Sequence, residues 1–200
     1  TLCRDNSTVP LRSLASVTGG GTPSKENSAF WQGRIPWVSP KDMKTREIYD
    51  AVDHISEEAL LGSAAKLISA PAVLFVVRGM ILAHTLPVAI SRVDVAINQD
   101  MKALQPQRGV SPLFLGYMLR GAAPDLLNEV EVAGHGTRRL QTEKWINLPI
   151  PNLSPDEQAS AVAELEEIER TADEATNLTA ENSMQAFEGS VLRQAFAGEL

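Results

Sequence analysis

The rhythm of apolar and polar positions changes along the chain. Up to about residue 110, short apolar clusters alternate with polar, glycine or proline punctuation, the pattern of strands joined by turns. Leu11–Val17 predicts a short helix or strand running into the glycine turn Gly19–Gly21. Ile35–Val38, Val73–Val77, Val88–Ile90 and Val93–Ile97 predict strands, and Pro40–Met43 the loop after the first of them. The longest apolar run, Ala70–Val77, stops at Arg78 and is far shorter than the roughly 18 residues a membrane span needs. Ser56–Leu61 begins like a capped helix, with Glu57 and Glu58 in its first turn. Pro112–Arg120 sets Leu113, Phe114, Tyr117 and Met118 on one side of an amphipathic helix, and residues 122–130 predict a second one.

A boundary follows. Pro149, Pro151 and Pro155 are read as forbidding regular structure before Ser154, because each fixes φ and lacks an N–H. Ser154 is a good N-cap, Pro155 suits the first helical position, and Glu157 completes a capping box with Ser154. From Pro155 to about Ala197 no further proline occurs and Gly189 is the sole interior glycine. Val162, Leu165, Ile168, Ala172, Ala175 and Leu178 recur in steps of three and four, and Phe187, Val191, Leu192 and Phe196 form a second cluster. The pattern predicts either one helix or a long and a short one parted near Gly189. The stripe is narrow and alanine-rich, with Thr179 and Asn182 where a heptad would continue. Such a helix cannot bury its stripe alone. Pairing through Leu165, Ile168, Ala172, Ala175 and Leu178, with Asn182 as a register device, is the expectation.

Charge sharpens that division. Residues 1–150 carry 16 Lys and Arg against 14 Asp and Glu, whereas residues 151–200 carry 2 against 11. The near-neutral head and the strongly acidic tail are separate electrostatic objects, and the overall charge of −7 describes neither. The reading is therefore an α+β chain: a strand-rich globular domain over 1–150, followed over 151–200 by a long helix that pairs in a coiled coil. A single cysteine, Cys3, excludes an internal disulfide framework, and Thr1–Asp5 shows no basic segment leading into an apolar one. The expected compartment is the cytoplasm.

The chain offers little catalytic chemistry. Gly19-Gly20-Gly21-Thr22 lacks the Gly-Lys-Ser/Thr ending of a phosphate loop and does not match the dinucleotide fingerprint. His54, His84 and His135 lie far apart without metal-ligand spacing, and Ser63, Ser69 and Ser91 lack a nucleophile-elbow context. Asp94 and Asp100 read as loop carboxylates and not as a catalytic pair. No catalytic residue, metal site or cofactor is expected. What remains is a set of polar and basic residues on loops. Lys25, Asn27, Gln32 and Arg34 flank Phe30-Trp31; Lys41, Lys44 and Arg46 follow Trp37; Arg138 and Arg139 follow Gly134-His135-Gly136. Lysine and arginine suit phosphates, and Arg, Asn and Gln form paired hydrogen bonds with base edges.

Taken in order, several segments resemble the specificity subunit of type I restriction–modification systems. They are Leu11–Ala15 leading into Gly19–Ser24, Phe30–Val38 with Asp42-Met43, and Ala96–Gln99 ahead of Ala103-Leu104 and Pro106. Thr137–Gln141, Leu148–Pro151 with Glu157-Gln158, and Ser190–Leu200 complete the series. The resemblance covers roughly residues 11–200 and implies a target recognition domain followed by a conserved helical region. It implies a non-catalytic subunit that reads half of a split duplex DNA sequence, with catalysis on methyltransferase and restriction subunits. Family members usually carry two such units whose helices pack antiparallel, so this half-length chain is expected to form a homodimer or to be part of a longer chain. Within that frame Lys25, Asn27, Arg34, Lys41, Lys44, Arg46, Arg138 and Arg139 are the candidate DNA contacts. Trp31 and Trp37 read as core, Asn98 and Gln99 as turn residues, and Gly19–Gly21 either as a close approach to DNA or as a tight turn. The competing reading is an adaptor whose long helix binds a protein partner, with no DNA role.

Overall fold

The computed structural model describes residues 7–132 and 136–197, with side chains described as far as residue 176. The chain divides into two compact units, residues 1–159 and 160–200.

The first unit is built around strands β1 (Thr8–Pro10), β2 (Ala15–Gly19), β3 (Ile35–Val38), β4 (Glu47–Ile48), β5 (Asp53–Ile55), β6 (Ala72–Val76), β7 (Val88–Ser91), β8 (Ala96–Ile97) and β9 (Met101–Pro106). After them come β10 (Glu131–Val132), β11 (Arg138–Arg139) and β12 (Pro149–Pro151). A five-stranded sheet runs β2-β9-β6-β7-β4, antiparallel except where β4 lies parallel to β7. Its centre is the apolar run read from the sequence: Ala72–Val76 are all fully buried, which is why that strand shows no alternation. A three-stranded sheet runs β5-β3-β8 and carries its own core of Trp37, Ile55, Ala59, Ala65 and Ala96, packed by Phe30, Trp31, Ile35 and Leu60. The β8–β9 turn joins the two sheets. Asn98 Oδ1 accepts from the Asp100 amide at 3.0 Å, the turn role read for it, and Gln99 meets the Thr22 hydroxyl.

The glycine triplet has a structural cause. A Cβ on Gly20 would stand 1.9 Å from the Asn98 carbonyl oxygen, and one on Gly21 would stand 2.4 Å from the Ala64 carbonyl carbon. The backbone of this turn is wedged between neighbouring chain segments. Gly21 also donates its amide to Ile97 O at 2.9 Å and accepts from Trp37 Nε1 at 3.0 Å. Trp37 is buried and meets Trp31 edge-on at 5.1 Å, so both tryptophans do serve the core behind the loops.

Helix α1 (Glu57–Gly62) is capped by Ser56, whose hydroxyl accepts from the Ala59 amide. Helix α2 spans Pro112–Asn128 as one element, where two were expected. Gly121 and Pro124 are local breakers, but Phe114, Leu115, Leu119 and Leu126 are buried along the same helix, and this packing carries it through. Val93–Ile97 is shorter than expected, with only Ala96–Ile97 in a strand and Val95 in an isolated bridge to Ile68. Asp100 is no solvated loop residue: its carboxylate takes Arg78 Nε at 2.6 Å.

A short helix, α3 (Thr142–Ile146), buries Trp145 edge-on against Phe75 at 5.0 Å. The ribbon β1–β12 then ties the start of the unit to its end. Regular structure was not expected before Ser154, yet Pro149 and Pro151 sit in a strand, on an edge pairing where a missing donor is tolerated. Helix α4 runs Pro155–Ala197, and its backbone is helical through Gly189. The capping box read from the sequence is formed: Glu157 Oε2 accepts from the Ser154 amide at 2.8 Å and from its hydroxyl at 2.7 Å, while Ser154 Oγ accepts from the Glu157 amide. Those two bonds hold the Glu157 carboxyl below its ordinary value. At 1.5 Å per residue, 43 residues make a rod of about 64 Å.

Within the second unit the surface is acidic. Arg170 is bracketed by Glu167 at 2.5 Å and Glu174 at 2.6 Å, one turn either side. Of the candidate pairing residues, Ile168 is 63% exposed, Ala172 and Ala175 are exposed, and Leu165 is half-buried. The side chains of Leu178 and Asn182 lie outside the described residues. Among the described residues no helix is long and apolar enough to cross a membrane.

Candidate nucleic-acid interface

The candidate contacts separate into four places. Lys25 lines a hollow of about 480 Å³ with Ser28, Trp31, Gln32 and Asp53. Asp53 also holds Lys41, whose ammonium lies 2.6 Å from its carboxylate; that hydrogen bond raises the Lys41 pKa. Asn27 is occupied as well. Its side chain caps the 3-10 turn Ser28–Trp31 by accepting from the Ala29 amide at 3.1 Å, leaving the amide nitrogen for any further contact. Arg34 stands apart, in a hollow lined by Glu57, Leu60, Leu61 and Asp94.

Lys44 and Arg46 line a groove of about 1030 Å³, together with Arg120 from α2. Tyr49, Ile81, Leu86, Pro87 and Ala123 supply its apolar walls. Its one carboxylate, Glu47, receives the Tyr49 hydroxyl at 2.7 Å and Arg92 Nε at 2.8 Å. These two donors, Tyr49 first, lower the Glu47 pKa. Arg120 is not among the residues the sequence singles out, because it lies on a helix and not on a loop. Its guanidinium lies 4.3 Å above the ring of Tyr117, and the i,i+3 spacing of that pair on an amphipathic helix was the available signal.

Arg138 and Arg139 form β11, half of the short hairpin with β10. Successive strand residues point to opposite faces, so the two guanidinium groups diverge. Neither meets a carboxylate among the described residues. The hairpin is anchored on the large sheet: Gly79 donates to Arg138 O at 3.0 Å, Leu140 donates to Val77 O at 2.9 Å, and Arg139 bridges Arg78. Ion pairing of Lys144 with Glu129 and a 2.8 Å bond from Gln141 to Glu131 brace its base. His135 lies outside the described residues. His54 is held by Asp50 at 2.7 Å, and among the described residues no group of three or more His, Cys, Asp and Glu is placed to hold a metal.

The first unit carries dispersed cations on a strand-rich scaffold, and the second unit is an acidic helix. The family is specific: this chain belongs to the type I restriction modification DNA specificity domain family, whose model matches residues 4–182. It is 36% identical over 151 residues to the type I restriction enzyme EcoR124I/EcoR124II specificity subunit of Escherichia coli, covering 74% of this chain and 37% of that protein. It is 27% identical over 152 residues to the MjaIX specificity subunit of Methanocaldococcus jannaschii, covering 74% and 34%. Among solved structures, a chain from work on complex assembly and conformational transition of the type I R-M system superposes with a TM-score of 0.73 at 21% identity, covering 96% of this chain and 46% of that one. The HsdS subunit from Thermoanaerobacter tengcongensis gives 0.67 at 18% identity, covering 96% and 45%. These likenesses show the fold. The chain spans between a third and a half of the length of these relatives.

Proposed function

We propose that residues 1–150 are a target recognition domain that reads half of a bipartite duplex DNA sequence. Residues 151–200 are the helical spacer. The domain is non-catalytic, and it places methyltransferase and restriction subunits on DNA. The observation that carries this reading is the braced β10–β11 hairpin, whose Arg138 and Arg139 meet no carboxylate among the described residues, in a chain of the specificity family. Phosphate and base contacts need donors that are not already spent on the protein. By that criterion Arg138, Arg139, Lys44 and Lys25 are the leading contacts. Arg46 and Arg34 follow, and Lys41 and Asn27 engage DNA only beside their present partners.

The helix pairs with a second helix, from another copy or from the other half of a longer chain, along Leu165, Ile168, Ala172, Ala175, Leu178 and Asn182. The exposure of Ile168 and the alanines beyond it supports this. Its acidic faces stand off the phosphates, as like charge requires, and are left for the modification subunits.

Fluorescence anisotropy with a labelled duplex tests the reading. Arg138→Ala with Arg139→Ala is expected to weaken binding and to reduce the slope of log K against log salt by about 1.8, since each lost phosphate contact removes about 0.9. Unchanged affinity and slope would refute the assignment of this pair.

A further inference from the structure

Arg120 stands where a ligand would complete it. Its Nε is buried and has no hydrogen-bond partner among the described residues, and its guanidinium carbon lies 4.3 Å from the centre of the Tyr117 ring. A guanidinium is planar, and its two terminal nitrogens can make two parallel hydrogen bonds, the geometry that suits phosphate oxygens. The groove it lines also presents Lys44 and Arg46, and its one carboxylate is already engaged by Tyr49 and Arg92. Ile81, Leu86, Pro87 and Ala123 give the cations an apolar wall on one side.

One turn of chain links the groove to the hairpin. Ile81, in the groove wall, belongs to the 3-10 turn Met80–Ala83, and Gly79 immediately before that turn donates to Arg138 O.

We propose that this groove is a phosphodiester-binding site in which Arg120 grips the DNA backbone beside Lys44, extending the cationic track that begins at Arg138. It rests on the DNA-reading function proposed above. Arg120 is a positioning contact: it fixes the register of the head on the duplex and reads no base.

The test uses the full chain and a mixed-sequence labelled duplex, titrated from 50 to 200 mM salt. Arg120→Ala is expected to bind more weakly and to lose about 0.9 from the salt slope, so that its deficit relative to wild type shrinks about 3.5-fold across that range. Arg120→Lys is expected to recover the slope without recovering the affinity, because a point charge replaces a paired donor. Circular dichroism melts of both variants check that the head is folded, and Arg120→Gln serves if the alanine variant is not. A slope unchanged in a folded variant overturns the proposal while leaving DNA reading intact; a wild-type chain without salt-dependent binding overturns both. A parallel arm adds inorganic phosphate at constant ionic strength and follows the melting temperature. Phosphate that stabilises wild type but not Arg120→Ala, with duplex binding equal in the two, would make this a free-phosphate site and overturn the backbone contact. Absence of such stabilisation, with the altered slope, supports it.

Discussion

Gln158 offers a quantitative test of how the first turn of α4 is held within the first unit. The residue is 4% exposed and its amide is used at both ends. Oε1 accepts from the Ser111 amide at 2.8 Å, at the N-cap of α2, while Nε2 donates to Leu153 O at 2.9 Å and Gly109 O at 3.3 Å. Gln158→Met keeps the volume and removes all three bonds. At about 1 kcal/mol net per bond the loss is about 3 kcal/mol. For a chain of this size each kcal/mol moves the midpoint by roughly 2–4 °C, so thermal unfolding followed by circular dichroism is expected to show a fall of about 6–12 °C. Gln158→Glu separates the two ends of the amide. It keeps the acceptor for Ser111 but turns a carboxylate oxygen toward two carbonyls, so it is expected to destabilise strongly at pH 7 and less once protonated. A methionine variant that melts with wild type would refute the role of these three bonds, since packing alone would then suffice.

Two further outcomes follow from other parts of the molecule. Glu47 has its folded-state pKa lowered from 4.5 by Tyr49 and Arg92, so its contribution to stability is present above that value and is lost as pH falls through the lower folded value. Glu47→Gln is expected to flatten the acid limb of a melting-temperature profile; an acid limb as steep as wild type would remove this group from the account. Leu165→Lys with Ile168→Lys is expected to abolish self-association measured by light scattering if the helix pairs with its own copy, and a surviving dimer would place the seam elsewhere.

Local chemistry was legible in the sequence and non-local chemistry was not. Ser154 and Glu157 are three residues apart, so the capping box could be read directly, as could the Ser56 cap of α1. Strand β9 was hard to see because Lys102, Gln105 and Pro106 interrupt its apolar positions, yet it lies between β2 and β6 and buries Met101, Ala103 and Leu104. The run of α2 through Pro124 depends on what the helix packs against, which no window of sequence contains. The same divide runs through the site. Asn27 capping the turn two residues on is a local event, whereas Lys41 being taken by Asp53, and Arg120 sharing a groove with Lys44, depend on chain segments brought together by the fold.

Reading of duplex sequence by the head is decided by selecting bound duplexes from a randomised pool with the purified chain. Enrichment of a short defined sequence is expected, lost with Arg138→Ala and Arg139→Ala. A bound pool with the same base composition at every position as the starting pool would contradict it.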